Sequence, residues 1–479
     1  MKKKIISALL CVSMVATMVA GCGGSSDTTS ADNSNSGVAA TATESGSDAA
    51  ETDTTGDEGK VLNIYCWNEE FKSRLTDHYP GYEEVDATTG KIGDVTVKWN
   101  ITPSDDNAYQ NNLDATLLKQ ESAAADDKID LFLVEADYAL KYVDTDYTMP
   151  IADLGITDAD LANQYQYTKD IVTDSNGVLK GVSWQGCPGV LFYNRDAAKE
   201  VLGTDDPDQV QAQLSSWDKF NAVAEKASEK GYKMLSGYDD AYRVFSNNVS
   251  APWVDSNNKI VIDDNIMKWV DQTKTFTEKG YNNKSSLWDN VWQADQGPKG
   301  NVFGFFYSTW GINFTLLGNA LETPVKEGGK EEVGNGIYGD YAVCQGPQSY
   351  YWGGTWICAA AGTDNPNLIK EIMQTMTCDK DTEVQITKDT QDYTNTISGM
   401  NELAKSDFKS DFLGGQNHIK LFAEAAPKIN MKNISAYDQG LNEEFQKAMK
   451  DYFDGNVTKD KALDNFYKAA TEKYPNLTH

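Results

Sequence analysis

Aromatic, amide and carboxylate side chains follow two apolar segments of the chain, where they could bind a polar ligand. The first group lies at the end of segment 61–67, and the second follows segment 129–134. Both segments have the composition of buried strands. Because ligands of open α/β sheets bind beyond the carboxyl ends of the strands, these side chains are predicted to line a binding site. The candidates are Trp67, Asn68, Glu69, Glu70, Glu135 and Asp137. The alternative is a pair of solvated loops, with Trp67 in the core.

A third candidate group places two glycines between two tryptophans. Because glycine has no Cβ, a ligand can approach the backbone N–H groups closely at such a position. One tryptophan is predicted to stack on the ligand and the other to lie in the core. The group consists of Trp352, Gly353, Gly354, Thr355 and Trp356.

The composition favours a neutral ligand with apolar ring faces. The chain has 11 Trp and 24 Tyr but only three Arg. Since Arg is the residue best suited to bidentate capture of carboxylate or phosphate, an anionic ligand has few partners here. Sugars present apolar C–H faces and rims of hydroxyl groups, which suit aromatic side chains combined with carboxylates and amides. The net charge of −30 opposes binding to nucleic acid.

The cysteine pattern gives no evidence for a metal site. There is no Cys-x-x-Cys pair and no Cys/His spacing of the kind that binds zinc, so neither a metal nor a cofactor is predicted. Five cysteines follow Cys22, and they cannot all pair with one another. They are interpreted as small buried apolar residues, with one disulfide left open as an alternative.

The N-terminus has the pattern of an exported lipoprotein. A basic head and an apolar run end in Val19-Ala20-Gly21-Cys22, which resembles a bacterial lipobox. Residues 1–21 are therefore predicted to be a signal peptide and Cys22 to carry lipid. The polar segment 22–59 is predicted to be a disordered linker, because it contains no aromatic side chain that could form a core. The expected location is the extracytoplasmic face of a cell membrane, in a Gram-positive-type envelope.

An α/β framework is predicted to position the candidate residues. Strand and helix patterns alternate from residue 61 onward, which predicts largely parallel sheets. About 420 residues follow Gly59, more than one hydrophobic core usually supports, so two domains are expected. The predicted strands are 61–67, 95–101, 129–134, 189–194, 302–307, 341–343 and 356–360. The predicted helices are 71–79, 108–120, 217–231, 265–280, 367–377, 441–453 and 459–473.

Five segments in this order resemble family 1 extracellular solute-binding proteins, the maltose-binding-protein-like receptors of ABC importers. They are Asp174–Val182, Leu191–Asp196, Trp217–Phe220, a block made of Tyr341–Pro347 and Trp352–Ile357, and Asn365–Asn367. The resemblance covers nearly the whole chain from Val61 onward.

The resemblance implies an α/β, two-lobed periplasmic-binding-protein-like fold of type II. Each lobe is expected to have a mixed or parallel sheet flanked by helices, with hinge strands between the lobes. The N-terminal lobe is predicted to contain 60–181 and 346–388, and the C-terminal lobe 182–345 and 389–479. The chain is expected to cross between the lobes near 181–184, 342–345 and 389–393.

The resemblance also implies further ligand-binding residues. Trp184 and Cys187 lie on the first crossing, where some relatives carry a carboxylate at the position of Cys187. Tyr242, Trp310 and Tyr437 match aromatic residues of the cleft, although packing in a lobe core is an alternative for Tyr242 and Trp310. For Trp288 and Trp292, which are four residues apart, packing on one helical face is the preferred interpretation.

The function implied is capture of a neutral mono- or oligosaccharide and its delivery to an ABC permease, without catalysis. The partners expected are the sugar, the permease subunits and, through lipid only, the membrane; the protein is expected to be a monomer. One alternative is a receptor for a cation such as a polyamine, which acidic and aromatic loops could also bind. Another is a tethered glycoside hydrolase with Glu69 and Glu135 as its paired carboxylates.

Overall fold

A computed structural model describes residues 59–479 of the protein. The predicted signal peptide, the predicted lipidation site at Cys22 and the predicted linker up to residue 58 lie outside the described residues. The described chain contains two β-sheets, each flanked by helices. Below, the part of the chain around the sheet that contains residues 61–66 is called the first lobe, and the part around the sheet that contains residues 188–194 is called the second lobe. The lobe boundaries given in the sequence analysis remain a prediction.

The sheet of the first lobe places the first two candidate groups at one edge. Its strands are β1 Val61–Cys66, β2 Tyr82–Asp86, β3 Thr89–Ile92, β4 Val95–Ile101, β5 Leu131–Glu135 and β10 Thr355–Ala359. They lie in the order β10-β5-β1-β4-β3-β2. Strand β1 is parallel to both β4 and β5, so that Ile64 lies opposite Trp99 and Leu131. The carboxyl ends of β1 and β5 therefore meet, and Trp67 and Asp137 follow them.

The sheet of the second lobe differs from the largely parallel sheet that was predicted. Its strands are β6 Pro188–Asn194, β7 Gly304–Ser308, β8 Tyr341–Cys344 and β9 Tyr350–Tyr351. Strand β6 is antiparallel to all three of the others. Several helices separate β6 from β7, and the chain re-enters the sheet at the end where β6 leaves it, so that Gly304 pairs with Tyr193. An alternation of strands and helices along the sequence does not determine this direction.

Helices cover both lobes. In the first half of the chain they are α1 Glu70–His78, α2 Ala108–Leu117, α3 Ala139–Val143, α4 Gln166–Asp170, α5 Arg195–Leu202, α6 Pro207–Leu214, α7 Trp217–Glu229 and α8 Tyr242–Ser246. They continue as α9 Asp264–Lys279, α10 Asn290–Asp295, α11 Leu317–Ala320, α12 Pro366–Thr377, α13 Lys380–Thr390, α14 Ile397–Leu403, α15 His418–Ala425, α16 Asp438–Phe453 and α17 Lys459–Lys473. A π-helical turn, Ile312–Leu316, directly precedes α11.

Side-chain caps fix where several helices begin. Asn194 accepts a hydrogen bond from the Ala197 N–H at the start of α5, and Ser216 accepts one from the Lys219 N–H at the start of α7. Asp289 does the same for the Trp292 N–H at the start of α10. Each cap satisfies a donor that the first turn of a helix leaves free. The cap on α10 also fixes the loop that carries Trp288.

Three segments run side by side between the sheets. Val182 and Ile357 exchange backbone hydrogen bonds of 3.1 and 2.7 Å. On its other side, the same segment is bound by residues 391–395, since the Asn395 N–H donates to the Trp184 carbonyl at 2.8 Å. The crossing predicted near 342–345 is displaced, because β8 and β9 both still pair with β6. The chain passes between the sheets at 352–354 instead, just before β10.

The cysteines are packed as apolar residues. Cys66, Cys187, Cys344 and Cys358 are buried free thiols, and Cys378 is a half-buried one. The alternative of a disulfide is therefore not realised among the described cysteines. In residues 59–479, no cluster of His, Cys, Asp and Glu side chains is arranged to bind a metal ion. None of the described helices combines the length and apolar character that crossing a membrane requires.

Candidate ligand-binding site

A cavity of about 250 Å³ lies between the two lobes, beside the crossing segments. The first lobe contributes Trp67 and polar side chains from the ends of β1 and β5, the second lobe contributes aromatic rings and Arg243, and the crossing segments form the base. The lining residues are Trp67, Asn68, Glu70, Glu135, Asp137, Gln185, Arg243, Trp288, Trp310, Phe314, Trp352, Gly353, Gly354 and Thr355. The site is thus an aromatic wall facing a polar one.

Glu70 is the first residue of α1 and is oriented by its neighbours. The Asn68 side-chain oxygen accepts the Glu70 N–H at 3.1 Å, which fixes the turn from β1 into α1. The carboxylate of Glu70 accepts a hydrogen bond from Gln185 at 3.0 Å and lies 3.6 Å from Arg74. Burial raises the pKa of Glu70 to about 7, although Arg74 opposes this shift.

Glu135 is the last residue of β5 and Asp137 lies two residues later, and their carboxylates are in different electrostatic environments. The Asp137 N–H donates to Glu135 at 2.8 Å, and the Asp137 carboxylate binds Arg243 with both oxygens. Burial, together with the negative charge of Asp137, raises the pKa of Glu135 to about 8. The Asp137–Arg243 pair joins the two lobes across the cavity, because Asp137 follows a first-lobe strand and Arg243 lies on α8 of the second lobe.

Four aromatic rings form the wall of the second lobe. Trp310 and Trp352 meet edge to face with ring centres 5.1 Å apart, and the Trp310 indole N–H donates to the Trp352 carbonyl at 2.8 Å. Trp288 stacks beside Trp310, with the ring centres 6.1 Å apart and the planes inclined by 26°. Phe314 adjoins both rings at 6.1 Å. The wall offers flat apolar surface to a ligand.

The glycines at the base of the cavity permit this arrangement. Gly353 has φ of +75° and Gly354 has φ of +102°, which L side chains rarely adopt. A Cβ at Gly353 would lie 2.8 Å from the Trp310 indole nitrogen, and one at Gly354 would lie 2.9 Å from the Trp356 ring. Larger residues would therefore displace the tryptophans.

Gln185 connects the cavity to the crossing segments. Its amide nitrogen donates to Glu70 and, at 2.8 Å, to Asp392, while its oxygen accepts the Thr355 N–H at 2.9 Å. Asp392 in turn accepts a hydrogen bond of 2.6 Å from Thr309, which follows β7. This buried chain of hydrogen bonds extends from a cavity carboxylate to the second-lobe sheet.

Ten of the sixteen predicted site residues line the cavity, and six do not. Trp184 is fully buried and stacks on Phe71 at 5.2 Å. Cys187 is also fully buried beside Gly354. Trp356 is the core member of its pair and donates to the Thr168 carbonyl at 2.7 Å.

Tyr242 is likewise a core residue, so the packing alternative holds. It meets Trp269 edge to face at 4.8 Å and donates to Asn442. Tyr437 precedes α16, contacts Tyr474 and accepts a hydrogen bond from Asn476 at 2.9 Å, away from the cavity. Its side chain is therefore not part of the cavity lining, and neither are those of the buried residues.

Glu69 is exposed and is not part of the cavity lining. The chain turns into α1 at this point, so Glu69 and Glu70 point in different directions. The pair of carboxylates proposed for a glycoside hydrolase, Glu69 and Glu135, is consequently not brought together at the cavity.

Four lining residues were missed: Gln185, Arg243, Trp288 and Phe314. Trp288 and Trp292 do not share a helix, because α10 begins only at Asn290. Trp292 is buried and donates to Asp240 at 2.9 Å, whereas Trp288 faces the cavity. Arg243 could have been identified from the sequence, because the chain has only three Arg and each is therefore a candidate for a specific role. No pattern in the sequence distinguishes Phe314 from a core residue.

Comparisons with known proteins identify the fold and the family. Among solved structures, a family 1 extracellular solute-binding protein has a TM-score of 0.68 and 15% identity, with 86% of this chain and 99% of that chain covered. The ABC transporter associated binding protein from B. animalis subsp. lactis, in complex with β-1,6-galactobiose, has a TM-score of 0.65 and 14% identity over 88% and 99%.

A third similar structure is the galacto-N-biose-/lacto-N-biose I-binding protein from Bifidobacterium longum in complex with lacto-N-biose. It has a TM-score of 0.62 and 15% identity, covering 88% of this chain and 98% of that one. No curated protein sequence matches the chain. The family described as bacterial extracellular solute-binding protein matches residues 84–412. With its two sheets on either side of a polar and aromatic cavity, the chain belongs to the bacterial extracellular solute-binding proteins.

Proposed function

We propose that the protein captures a neutral sugar between its lobes and delivers it to an ABC permease. The observation that carries the proposal is the wall formed by Trp288, Trp310, Phe314 and Trp352, which faces carboxylates across the cavity. Flat rings bind the C–H faces of a sugar, and the opposite wall binds its hydroxyl groups. The similar proteins from bifidobacteria, crystallised with a galactobiose and with lacto-N-biose, support the same ligand class.

The charge state of the carboxylates favours a neutral ligand over a cation. The raised pKa values of Glu70, about 7, and Glu135, about 8, leave both groups partly protonated at neutral pH. A protonated carboxyl group both donates and accepts hydrogen bonds, which suits a hydroxyl group. Asp137 is already occupied by Arg243. A polyamine would instead require these carboxyl groups to be ionised.

A fluorescence titration tests the proposal directly, because several tryptophans line the cavity. We expect neutral sugars to change the intrinsic fluorescence and Trp310→Phe to weaken binding. Trp217→Phe is the matched control, since Trp217 stacks on Phe245 and does not line this cavity. A response to spermidine that becomes stronger from pH 6 to pH 9, with no response to any sugar, would instead establish the cation receptor.

The proposal includes a lipid anchor on Cys22 that keeps a monomeric receptor beside its permease on the extracytoplasmic face of the membrane. It is supported by the lipobox pattern and by the polar linker that follows. In cells, Cys22→Ala is expected to release the protein from the membrane fraction and to abolish incorporation of labelled fatty acid. Cys378→Ala is the control, and equal membrane retention of both variants would contradict the anchor.

The proposed role is binding without turnover. The carboxylates that line the cavity are held by Gln185, Arg74 and Arg243, and no function as acid and nucleophile is needed to explain them. Incubation of the purified protein with a bound oligosaccharide is expected to leave the sugar intact. Cleavage products would favour the hydrolase.

A further inference from the structure

Two aromatic side chains at the mouth of the cavity are exposed although they are large and apolar. Trp288 is 46% exposed and Phe314 is 57% exposed, and they meet edge to face with ring centres 6.1 Å apart. We call this pair the aromatic ledge. Both residues also belong to the cavity lining, so the ledge continues the aromatic wall of Trp310 and Trp352 outward into solvent.

Each ledge residue is presented by an unusual backbone conformation. Trp288 has φ of +73°, which is a true outlier for a bulky side chain. Phe314 lies in the middle of the π-helical turn Ile312–Leu316, a geometry that is rare and found most often at functional sites. Such conformations persist only where the surrounding structure enforces them.

The surrounding contacts enforce both conformations. Asp289 accepts hydrogen bonds from the Ser286 N–H at 2.9 Å and from the Trp292 N–H at 2.8 Å, which fixes the loop that contains Trp288. In the π-helical turn, Ile312 and Leu316 are fully buried, which leaves Phe314 facing outward. The ledge is therefore built into the fold, and its exposure is not the result of a loose loop.

From this arrangement we infer that the ligand is an oligosaccharide, with one end in the cavity and a further sugar ring on the aromatic ledge. The inference rests on the proposed sugar-binding function. The cavity volume of about 250 Å³ lies below the roughly 300–1,000 Å³ of sites that hold drug-sized molecules, so the enclosed part suits the end of a chain. A single sugar ring inside this space would leave the exposed parts of Trp288 and Phe314 uncovered.

A length series of sugars tests the inference. The probes are glucose, galactose and α-1,4-, β-1,4- and β-1,6-linked gluco- and galacto-oligosaccharides of two to six rings. In the wild type, affinity is expected to rise with length. Trp288→Ala and Phe314→Ala should each weaken binding of the longest ligand by about tenfold, and of a monosaccharide by less than about twofold, because one stacking contact is lost.

Two controls separate the ledge from effects on folding. Val333→Ala removes an apolar side chain that is 76% exposed and does not line the cavity, so affinity for every sugar should be unchanged. Trp288→Phe should recover most of the affinity for long ligands, because a ring is restored. Because Trp288 also packs on Trp292, with ring centres 5.1 Å apart, the melting temperature of Trp288→Ala is expected to fall, and all affinities are compared at a temperature where every variant is folded.

The outcomes distinguish the inference from the proposed function. If the wild type binds monosaccharides as tightly as oligosaccharides, or if the ledge variants weaken both equally, the inference is wrong while sugar binding stands. If no sugar of any length binds the wild type, the proposed function itself is contradicted, and the inference with it.

Discussion

Glu135 and Asp137 are separated by one residue at the end of β5, yet they interact with different partners. Asp137 is paired with a guanidinium group, whereas Glu135 receives only a backbone N–H and lies beside the charge of Asp137. The raised pKa of Glu135 follows from burial and from this neighbour. The cavity therefore carries less negative charge at neutral pH than its number of carboxylates suggests.

This difference predicts how stability changes with pH. The folded protein binds the Glu135 proton up to about pH 8, whereas the unfolded chain releases it near pH 4.5. Because the folded state holds the extra proton, the free energy of unfolding is expected to decrease as pH rises from 4.5 to 8. Glu135→Gln should reduce the slope over this range, measured by urea denaturation at a series of pH values.

The matched control for this prediction is Glu69→Gln. Glu69 is also a glutamate at the end of a first-lobe strand, but it is exposed. Its replacement should leave the slope unchanged. Equal slopes for the wild type and Glu135→Gln would show that Glu135 titrates alike in the folded and unfolded states.

Residue patterns could predict which loops form the site but not which side chain of a loop enters it. Trp184 and Trp310 both border apolar segments, yet one is fully buried against Phe71 and the other faces the cavity. Whether a tryptophan ring is buried or faces the cavity depends on which sheet covers it, and only the tertiary structure determines this. Glu69 and Glu70 differ for a similar reason, since the start of α1 determines which carboxylate points inward.

Among the helices and strands, those that bury one face were predicted accurately from their periodic patterns. The last helix was predicted at 459–473 and is observed as Lys459–Lys473, and the strand predicted at 61–67 is observed as Val61–Cys66. The strands β2 and β3 were not predicted, because they are short and Gly90 is their only buried residue. Burial on one face produces the periodicity on which such predictions depend.

The crossing segments were harder to locate than the helices and strands. The crossing predicted near 342–345 is observed at 352–354, since β9 prolongs the pairing with β6 by only two residues. So short a strand leaves no periodic signal. The buried hydrogen bonds of Gln185 and Asp392 that stabilise these segments join residues far apart in sequence, which no local pattern reveals.

For the whole molecule, the contacts between the lobes set the balance between closed and open forms. Asp137 binds Arg243 across the cavity, and Gln110 on α2 donates to Gln439 on α16 at 3.1 Å. Neither bond involves a ligand. Both bonds are formed by the protein's own residues, so they are expected to favour this arrangement of the lobes, and ligand binding would add to that preference.

Arg243→Gln is expected to shift the unliganded protein toward an open form. Coupling energies of close charge pairs between two surfaces are about 1.5 kcal/mol or more, and 1.4 kcal/mol corresponds to a tenfold change in an equilibrium. The radius of gyration measured by small-angle X-ray scattering should therefore increase in the variant. Arg195→Gln is the matched control, because Arg195 pairs at 3.4 Å with Asp205 inside the second lobe. A radius of gyration that increases equally in both variants would indicate loosened folding rather than opened lobes, whereas an increase confined to Arg243→Gln would establish the pair as a contact that holds the lobes together.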